Sequence, residues 1–265
     1  MSAEGGALPG RLEGRRLEGR RLVVVGATSG IGRALALRAV ALGARVVAAG
    51  RRSDRLAELS EAGVATVVSV DVTAPADCRG LADSVASVLG SAEAVLSCAG
   101  GSALNPLAAL TPADWGEVLG TNLIGSNNVV AALLPVLAPG ALVGTISSDS
   151  AGCPPYALGA YAASKAALET MWAGWRVEAP EFRFCTFALG PTFPTDFGRD
   201  FDPAALEDAT PRWTRAGFAW DRMVDTEQVA GLLTDTVASL LQHPGLSVEH
   251  MLIRSPAART GAASA

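Results

Sequence analysis

Tyr161-Ala162-Ala163-Ser164-Lys165 sets a phenol and an ammonium four residues apart. On a helix that spacing puts both on one face, a turn from each other. A cation beside a phenol favours the phenolate and lowers its pKa from about 10. A phenol brought toward neutrality can work as a general acid or base. The composition sharpens the signal, because of 21 basic residues only Lys165 is a lysine, and there are two tyrosines. A lysine placed at random would follow a tyrosine by four at only about 2 of 265 positions. The plainer reading, a surface lysine on a helix, has to explain why the only lysine falls there.

Ser148 lies upstream of Tyr161, at the C-terminal end of an apolar run. Ligands of open α/β sheets bind outside such strand ends, where a hydroxyl can orient a carbonyl oxygen. Ser147 and Ser150 are the neighbouring alternatives. Asn122 sits inside a helical pattern that asparagine supports poorly, so a buried hydrogen-bonding role competes with simple packing.

Gly26-Ala27-Thr28-Ser29-Gly30-Ile31-Gly32 follows the first strand pattern and opens a helix. Glycines there let a backbone approach a pyrophosphate held on the helix N-terminus. A tight structural turn is the bland alternative. The next strand pattern ends in Gly50-Arg51-Arg52. A NAD site would carry an acid there for the ribose hydroxyl. Arg51 and Arg52 instead suit a 2′-phosphate, each charge-assisted bond contributing about 1.5–3 kcal/mol. The expected cofactor is therefore NADP(H). Asp71 follows the third strand, where it could accept from an adenine amino group.

Elements must hold these residues in place. Strand patterns fall at 22–25, 45–49, 65–70, 94–97, 141–147, 183–188 and 249–253. Helical patterns lie near 31–42, 53–61, 76–89, 112–137, 157–178 and 226–241. Valine-rich strands alternating with helices predict a doubly wound α/β fold with a parallel sheet covered on both faces. Thr111-Pro112-Ala113-Asp114 marks one helix start, and Thr226-Glu227 another. Residues 1–20 read as a loose tail containing the duplication Arg11-Leu12-Glu13-Gly14 and Arg16-Leu17-Glu18-Gly19. Residues 21–255 read as a single domain, and 256–265 as a second tail. The segment 190–225 reads as a long loop carrying Phe193, Phe197, Phe201, Trp213, Phe218 and Trp220, which either line an apolar pocket or pack beneath it.

Composition excludes several classes. With 49% hydrophobic and 18% charged residues the chain can bury a sizeable core. A net charge of −5 argues against a nucleic-acid partner. Cys78, Cys98, Cys153 and Cys185 have no metal-binding spacing, and with two histidines no zinc site is expected. Reduced thiols point to the cytoplasm. Residues 118–148 carry no charge, yet Asn122, Asn127, Asn128, Pro135 and Pro139 interrupt them, so no membrane span is expected. Arg20-Arg21 resembles a twin-arginine signal, but Arg33, Arg38 and Arg45 break the stretch after it.

Taken together, the chain resembles the short-chain dehydrogenase/reductase family. The resemblance runs from about Leu17 to Arg254 and rests on Gly26, Gly30-Ile31-Gly32, Asp71-Val72, Ala99-Gly100, Asn122, Ser148, Tyr161 and Lys165. It implies a seven-stranded parallel Rossmann sheet and a catalytic Asn122-Ser148-Tyr161-Lys165 tetrad. It further implies cofactor contacts from Gly26, Thr28, Ser29, Gly30, Ile31, Gly32, Asp71, Val72, Ala99, Gly100, Tyr161 and Lys165. Pro191, Thr192 and Thr195 would meet the nicotinamide carboxamide. There are departures. Val25 replaces a threonine, Ser97-Cys98 replaces an Asn-Asn pair, Gly190-Pro191 inverts the usual order, and Val248–Pro256 lacks a glycine-rich ending.

These readings lead to an NADPH-dependent carbonyl reductase, reversible as an alcohol dehydrogenase, for an apolar or bulky small molecule. A homo-oligomer, dimer or tetramer, is expected. An NADP-binding regulator without turnover is the alternative. A serine hydrolase is disfavoured, since the first histidine is His243 and no G-x-S-x-G elbow precedes it.

Overall fold

A computed structural model describes residues 16–217 and 223–256. Its core is a parallel sheet of seven strands in the order β3-β2-β1-β4-β5-β6-β9. These strands are β1 (Arg21–Val25), β2 (Arg45–Gly50), β3 (Thr66–Ser69), β4 (Ala92–Ser97), β5 (Leu137–Ser148), β6 (Arg183–Leu189) and β9 (His250–Ile253). A small parallel pair, β7 (Thr192–Phe193) and β8 (Val224–Asp225), stands apart. The helices are α1 (Gly30–Ala41), α2 (Ser53–Glu61), α3 (Pro75–Leu89), α4 (Pro112–Leu119), α5 (Ser126–Leu133), α6 (Gly159–Glu178), α7 (Pro203–Arg215) and α8 (Thr226–Gln242). The expected doubly wound Rossmann architecture is the one observed.

Successive strand residues point to opposite faces, and each face has its own core. Leu22, Val24, Val46 and Ala48 pack with α1, α2 and α8. Val23, Val25, Val47 and Ala49 pack with α3 and α5. Valine at every β1 position from Val23 to Val25 therefore leaves no wet face, as a covered parallel sheet requires. Trp172 of α6 is fully buried against Val143 and Phe184 in a third cluster. That assigns the large apolar side of α6 at Trp172 to the core.

The strand order reverses between β1 and β4, and open α/β sheets place ligands in the crevice at such a point. The crevice is formed by the turn after β1 and the loop after β4.

Several expectations need correction. The helix expected over 112–137 is broken: α4 gives way to a π-helical turn at Gly120–Gly125, then to α5 and a short 3-10 turn at Leu134–Val136. Strand β5 already begins at Leu137, so the charge-free run is shared among five elements. No described helix is long and apolar enough to cross a membrane. The segment 190–225 is not one loop, for it contains the 13-residue α7. Asp202 caps α7 by accepting from the Ala204 and Ala205 amides. The cap expected at Thr226 is supplied one residue earlier, where Asp225 accepts from the Gln228 amide.

The described part of the expected tail, residues 16–20, is packed rather than loose. Leu17 is 0% exposed, and its amide donates to the Leu42 carbonyl at 3.1 Å. Arg20 and Arg21 both engage Glu93 at the start of β4, at 2.7 and 3.2 Å. That arginine pair ties two strands together. The first copy of the duplication lies outside the described residues, as do Phe218 and Trp220. Leu17→Ala is expected to cost about 2–5 kcal/mol of stability, as for other leucines emptied from a core. Denaturant unfolding of the variant against wild type measures it, and a loss near zero would make residues 16–20 dispensable.

Candidate active site

Helix α6 presents Tyr161 and Lys165 one turn apart, with the Lys165 Nζ 5.7 Å from the Tyr161 ring centroid. Ser148 ends β5 and caps the 3-10 turn Asp149–Ala151, accepting from the Ser150 amide at 3.1 Å. Its hydroxyl also stands near enough to the Tyr161 phenol to favour the phenolate. Lys165 is buried and donates to the Ile146 carbonyl at 2.8 Å.

Burial governs both titrating groups. It pushes the Tyr161 phenol up to about 12; the Ser148 hydrogen bond opposes the rise and the Asp149 charge adds to it. Burial also pulls Lys165 down to about 8, against Cys98 and Glu169. The expected acidification of the phenol by the ammonium is therefore not met in this arrangement. A low-dielectric surrounding disfavours both charged forms, and the ammonium is committed to a strand carbonyl. Asp149, itself buried, is paired with Arg254 at 3.2 Å.

Asn122 occupies the π turn and is 0% exposed. Such turns frequently mark functional sites. Its Oδ1 accepts from the Gly101 amide at 2.8 Å, and its Nδ2 donates to the Gly101 carbonyl and the Ser164 hydroxyl, both at 2.9 Å. The loop after β4 is thereby fastened to α6. A Cβ on Gly100 would stand 3.3 Å from Asn122 Oδ1 and 3.4 Å from Lys165 Nζ, so this glycine, Asn122 and Lys165 converge.

The glycine turn builds a cradle. Gly26 has φ +80°, and a Cβ there would lie 2.5 Å from the Ala99 amide nitrogen. A Cβ on Gly32 would collide with the Gly26 carbonyl. These contacts explain the glycines by close backbone approach rather than by turn shape alone. Ser29 precedes α1 without capping it, and the first turn of α1 contains no acid. Ile31 packs on the α1 core from its edge. Such an uncapped helix start attracts anions, which fits the phosphates of a dinucleotide. A Cβ on Gly50 at the end of β2 would meet the Thr28 side chain at 2.6 Å. Arg52 turns back on the same turn, donating to the Thr28 carbonyl at 3.1 Å, and pairs with Asp196 at 2.6 Å.

Other expected contacts are more dispersed. Arg51 is exposed. The Asp71 carboxylate accepts from the Thr73 amide and hydroxyl, which hold its pKa below the usual value. Val72 is buried, and its carbonyl accepts from Asn128 at 3.0 Å. Pro191 is exposed, and its carbonyl accepts from the Val224 amide. Thr192 donates to the Gly190 carbonyl, and Thr195 lies against Gly30. At the departure Ser97-Cys98, the Ser97 hydroxyl is buried without a partner, and burial pushes the Cys98 thiol up to about 12.

Sequence reasoning named Phe197, Phe201 and Trp213 among the aromatics of 190–225 without placing them at the phenol, and it missed Leu104 and Leu158. Phe197 sets its ring edge-on to Tyr161 at 4.8 Å, and Phe201 packs on Phe197 at 5.5 Å. Leu104, Leu158 and Trp213 form a buried cluster against which Tyr161 and Phe201 pack, and the Trp213 indole donates to the Tyr156 carbonyl. The signal that could have found them is Asp202-Pro203, the same cap and first-turn proline that mark the helix at Thr111-Pro112. Pro211 inside α7 conceals it.

The comparisons agree with this geometry. The family description of short chain dehydrogenases matches residues 20–203. An uncharacterized oxidoreductase of Listeria monocytogenes is 30% identical over 236 residues, 86% of this chain and 90% of that protein. The oxidoreductase asL5 of Sarocladium schorii is 35% identical over 61% of this chain and 66% of its own length. Among solved structures, an alcohol dehydrogenase of Thermococcus sibiricus complexed with 5-hydroxy-NADP superposes with TM-score 0.77 at 23% identity, over 91% of this chain and 99% of that one. A short chain dehydrogenase of Burkholderia cenocepacia in complex with NADP gives TM-score 0.74 at 25% identity, over 91% and 98%. One from Burkholderia phymatum in complex with NAD gives 0.74 at 24%, over 89% of both chains. The neighbours thus include both cofactors. A family match that spans β1 to the start of α7, joined to relatives aligned over most of their length, places this chain in the short-chain dehydrogenase/reductase family of oxidoreductases.

Proposed function

We propose that this protein is an NADPH-dependent carbonyl reductase, reversible as an alcohol dehydrogenase, for an apolar or bulky substrate. The observation that carries the reading is the convergence of the Ser148 hydroxyl at the end of β5 on the Tyr161 phenol, with Lys165 one turn further along α6. Two hydroxyl donors held together can both turn to one carbonyl oxygen. Ser148 orients that oxygen and Tyr161 gives it a proton. A phenol whose pKa is about 12 stays loaded with its proton through neutral pH. The phenolate left behind is met by the Ser148 hydrogen bond. Lys165, brought down to about 8, stays mostly charged at neutral pH yet gives up its proton more readily than a free lysine, and so is suited to resupply the proton. Asn122 holds the Gly101 loop against α6 so that the groups keep their spacing. A nicotinamide dinucleotide, when bound, supplies the hydride.

The preference for NADPH is supported by Arg51 and Arg52 after β2, where an acid would serve NADH. Apolar substrates are supported by Leu104, Leu158, Trp213, Phe197 and Phe201 around the phenol. We read the enzyme as a cytoplasmic homo-oligomer. Four free thiols suit a reducing compartment, and exposed Ile124 and Val177 on the site-bearing helical elements suit an interface.

Tyr161→Phe is expected to keep NADPH binding while kcat for a ketone panel falls about 10²–10⁴-fold. Unchanged turnover would remove the phenol from the mechanism, and no turnover by either protein would favour the regulator without chemistry. The pH profile has a definite sign. Lysine is charged below its pKa, so Lys165 loses its proton as pH rises through about 8, while the phenol keeps its own to about 12. Reduction is therefore expected to slow above pH 8, and Lys165→Arg should move that limb upward if any activity survives. A limb at the same pH in both proteins would assign it elsewhere. Finally, wild type should bind NADPH more tightly than NADH, and Arg52→Ala should weaken NADPH binding by about tenfold or more, as loss of a charge-assisted bond implies. Equal affinity for both cofactors would refute the phosphate grip while leaving the reductase reading intact.

A further inference from the structure

Asp196 lies between β7 and α7, outside the elements that form the glycine cradle. Its carboxylate nevertheless reaches Arg52 at 2.6 Å and faces the Ser29 side chain. Both partners stand at the anion-seeking end of the crevice. Ser29 starts α1, whose first turn lacks an acid, and Arg52 follows β2. The pairing is not an isolated surface contact, because its neighbours in sequence pack into the site as well. The Thr195 side chain lies 3.4 Å from where a Gly30 Cβ would stand, and Phe197 covers the Tyr161 ring edge. An internal carboxylate thus stands where an anionic ligand group would be drawn.

We propose that Asp196 is a specificity-determining residue for the cofactor: its carboxylate holds Arg52, and a 2′-phosphate binds by displacing it from the guanidinium. The proposal rests on the reading of Arg52 as the phosphate grip. Displacement is physically accessible. The Arg52 and Asp196 side chains are 30% and 43% exposed, and exposed ion pairs contribute little. A phosphate carries more charge than a carboxylate and accepts the guanidinium fork in two bonds. Arg199, 3.5 Å from Asp196, can keep the released carboxylate paired. A dinucleotide without the phosphate offers Arg52 nothing and leaves the pair in place. Asp196 therefore taxes NADPH selectively.

The test is titration calorimetry of NADPH and NADH against the full chain in four forms: wild type, Asp196→Asn, Arg52→Ala and the double variant. Asp196→Asn keeps the side-chain size and is expected to tighten NADPH binding about three- to fivefold, the scale of an exposed ion pair. NADH binding should change by less than about twofold, and the gain for NADPH should vanish in the Arg52→Ala background. Unchanged or weaker NADPH binding by Asp196→Asn, or equal tightening of both cofactors, overturns the proposal. If Arg52→Ala alone leaves NADPH affinity unchanged, the phosphate-grip reading fails on its own account and takes the proposal with it.

Discussion

The carboxamide of Asn122 is where three parts of the chain meet, and the site depends on that meeting. An amide buried without partners would cost several kcal/mol, so its position is tolerable only with its hydrogen bonds made. Here Oδ1 and Nδ2 are spent on both backbone groups of Gly101 and on Ser164. The loop after β4 is thereby fixed to the helix that carries Tyr161 and Lys165. The π turn brings the Asn122 side chain inward at the junction of α4, which packs against α6, and α5, which covers the sheet. Gly120 and Gly125 bound the turn, and a Cβ on Gly125 would strike the Val72 side chain at 2.5 Å. The same loop supplies Ala99, whose amide leaves Gly26 no room for a side chain. One buried amide thus connects the proton-handling groups to the glycine turn.

Burial then decides the electrostatics. Tyr161 and Lys165 are close neighbours, yet each is governed by loss of water more than by the other. The phenol holds its proton more tightly and the ammonium more loosely than in solution. In the proposed reduction such a pair passes a proton rather than storing separated charges. Asp149 is the buried charge nearest in sequence to Ser148, and Arg254 from beyond the last strand compensates it. A buried carboxylate needs such a partner. The C-terminal segment therefore reaches the site even though it lacks a glycine-rich ending.

Asp196 adds an anion to a place built to attract one, and it arrives from the least regular part of the fold. That part is also the hardest to read. The segment 190–225 has four prolines and many aromatics, a pattern of loops, and Pro211 falls inside α7 where a helix is normally interrupted. Helix α7 forms nonetheless, because Ala209 and Trp213 bury against Leu104 and Leu158 and tertiary packing outweighs local propensity. Residues 16–20 illustrate the converse. They look like polar linker, and one buried leucine with the ion pairs Arg16–Asp235 and Arg20–Glu93 makes them part of the domain.

The doubly wound sheet was legible in the sequence because short apolar strand runs, seven of them and several rich in valine, alternate with six helical periodicities, and all of these are local patterns. The glycine turn and the tyrosine-lysine spacing were legible for the same reason, since each is a constraint within a few consecutive residues. Other features depend on contacts between distant segments and left no such trace. The pairing of Arg52 with Asp196 spans the chain from β2 to the approach to α7. The clamp of Asn122 on Gly101 joins a helix to a strand-end loop. The pKa values of Tyr161 and Lys165 follow from how much water the assembled walls exclude, and no spacing along the chain encodes that. Sequence determined which groups could do chemistry. Only the tertiary structure decided their charges and partners, because both are set by what folds over them.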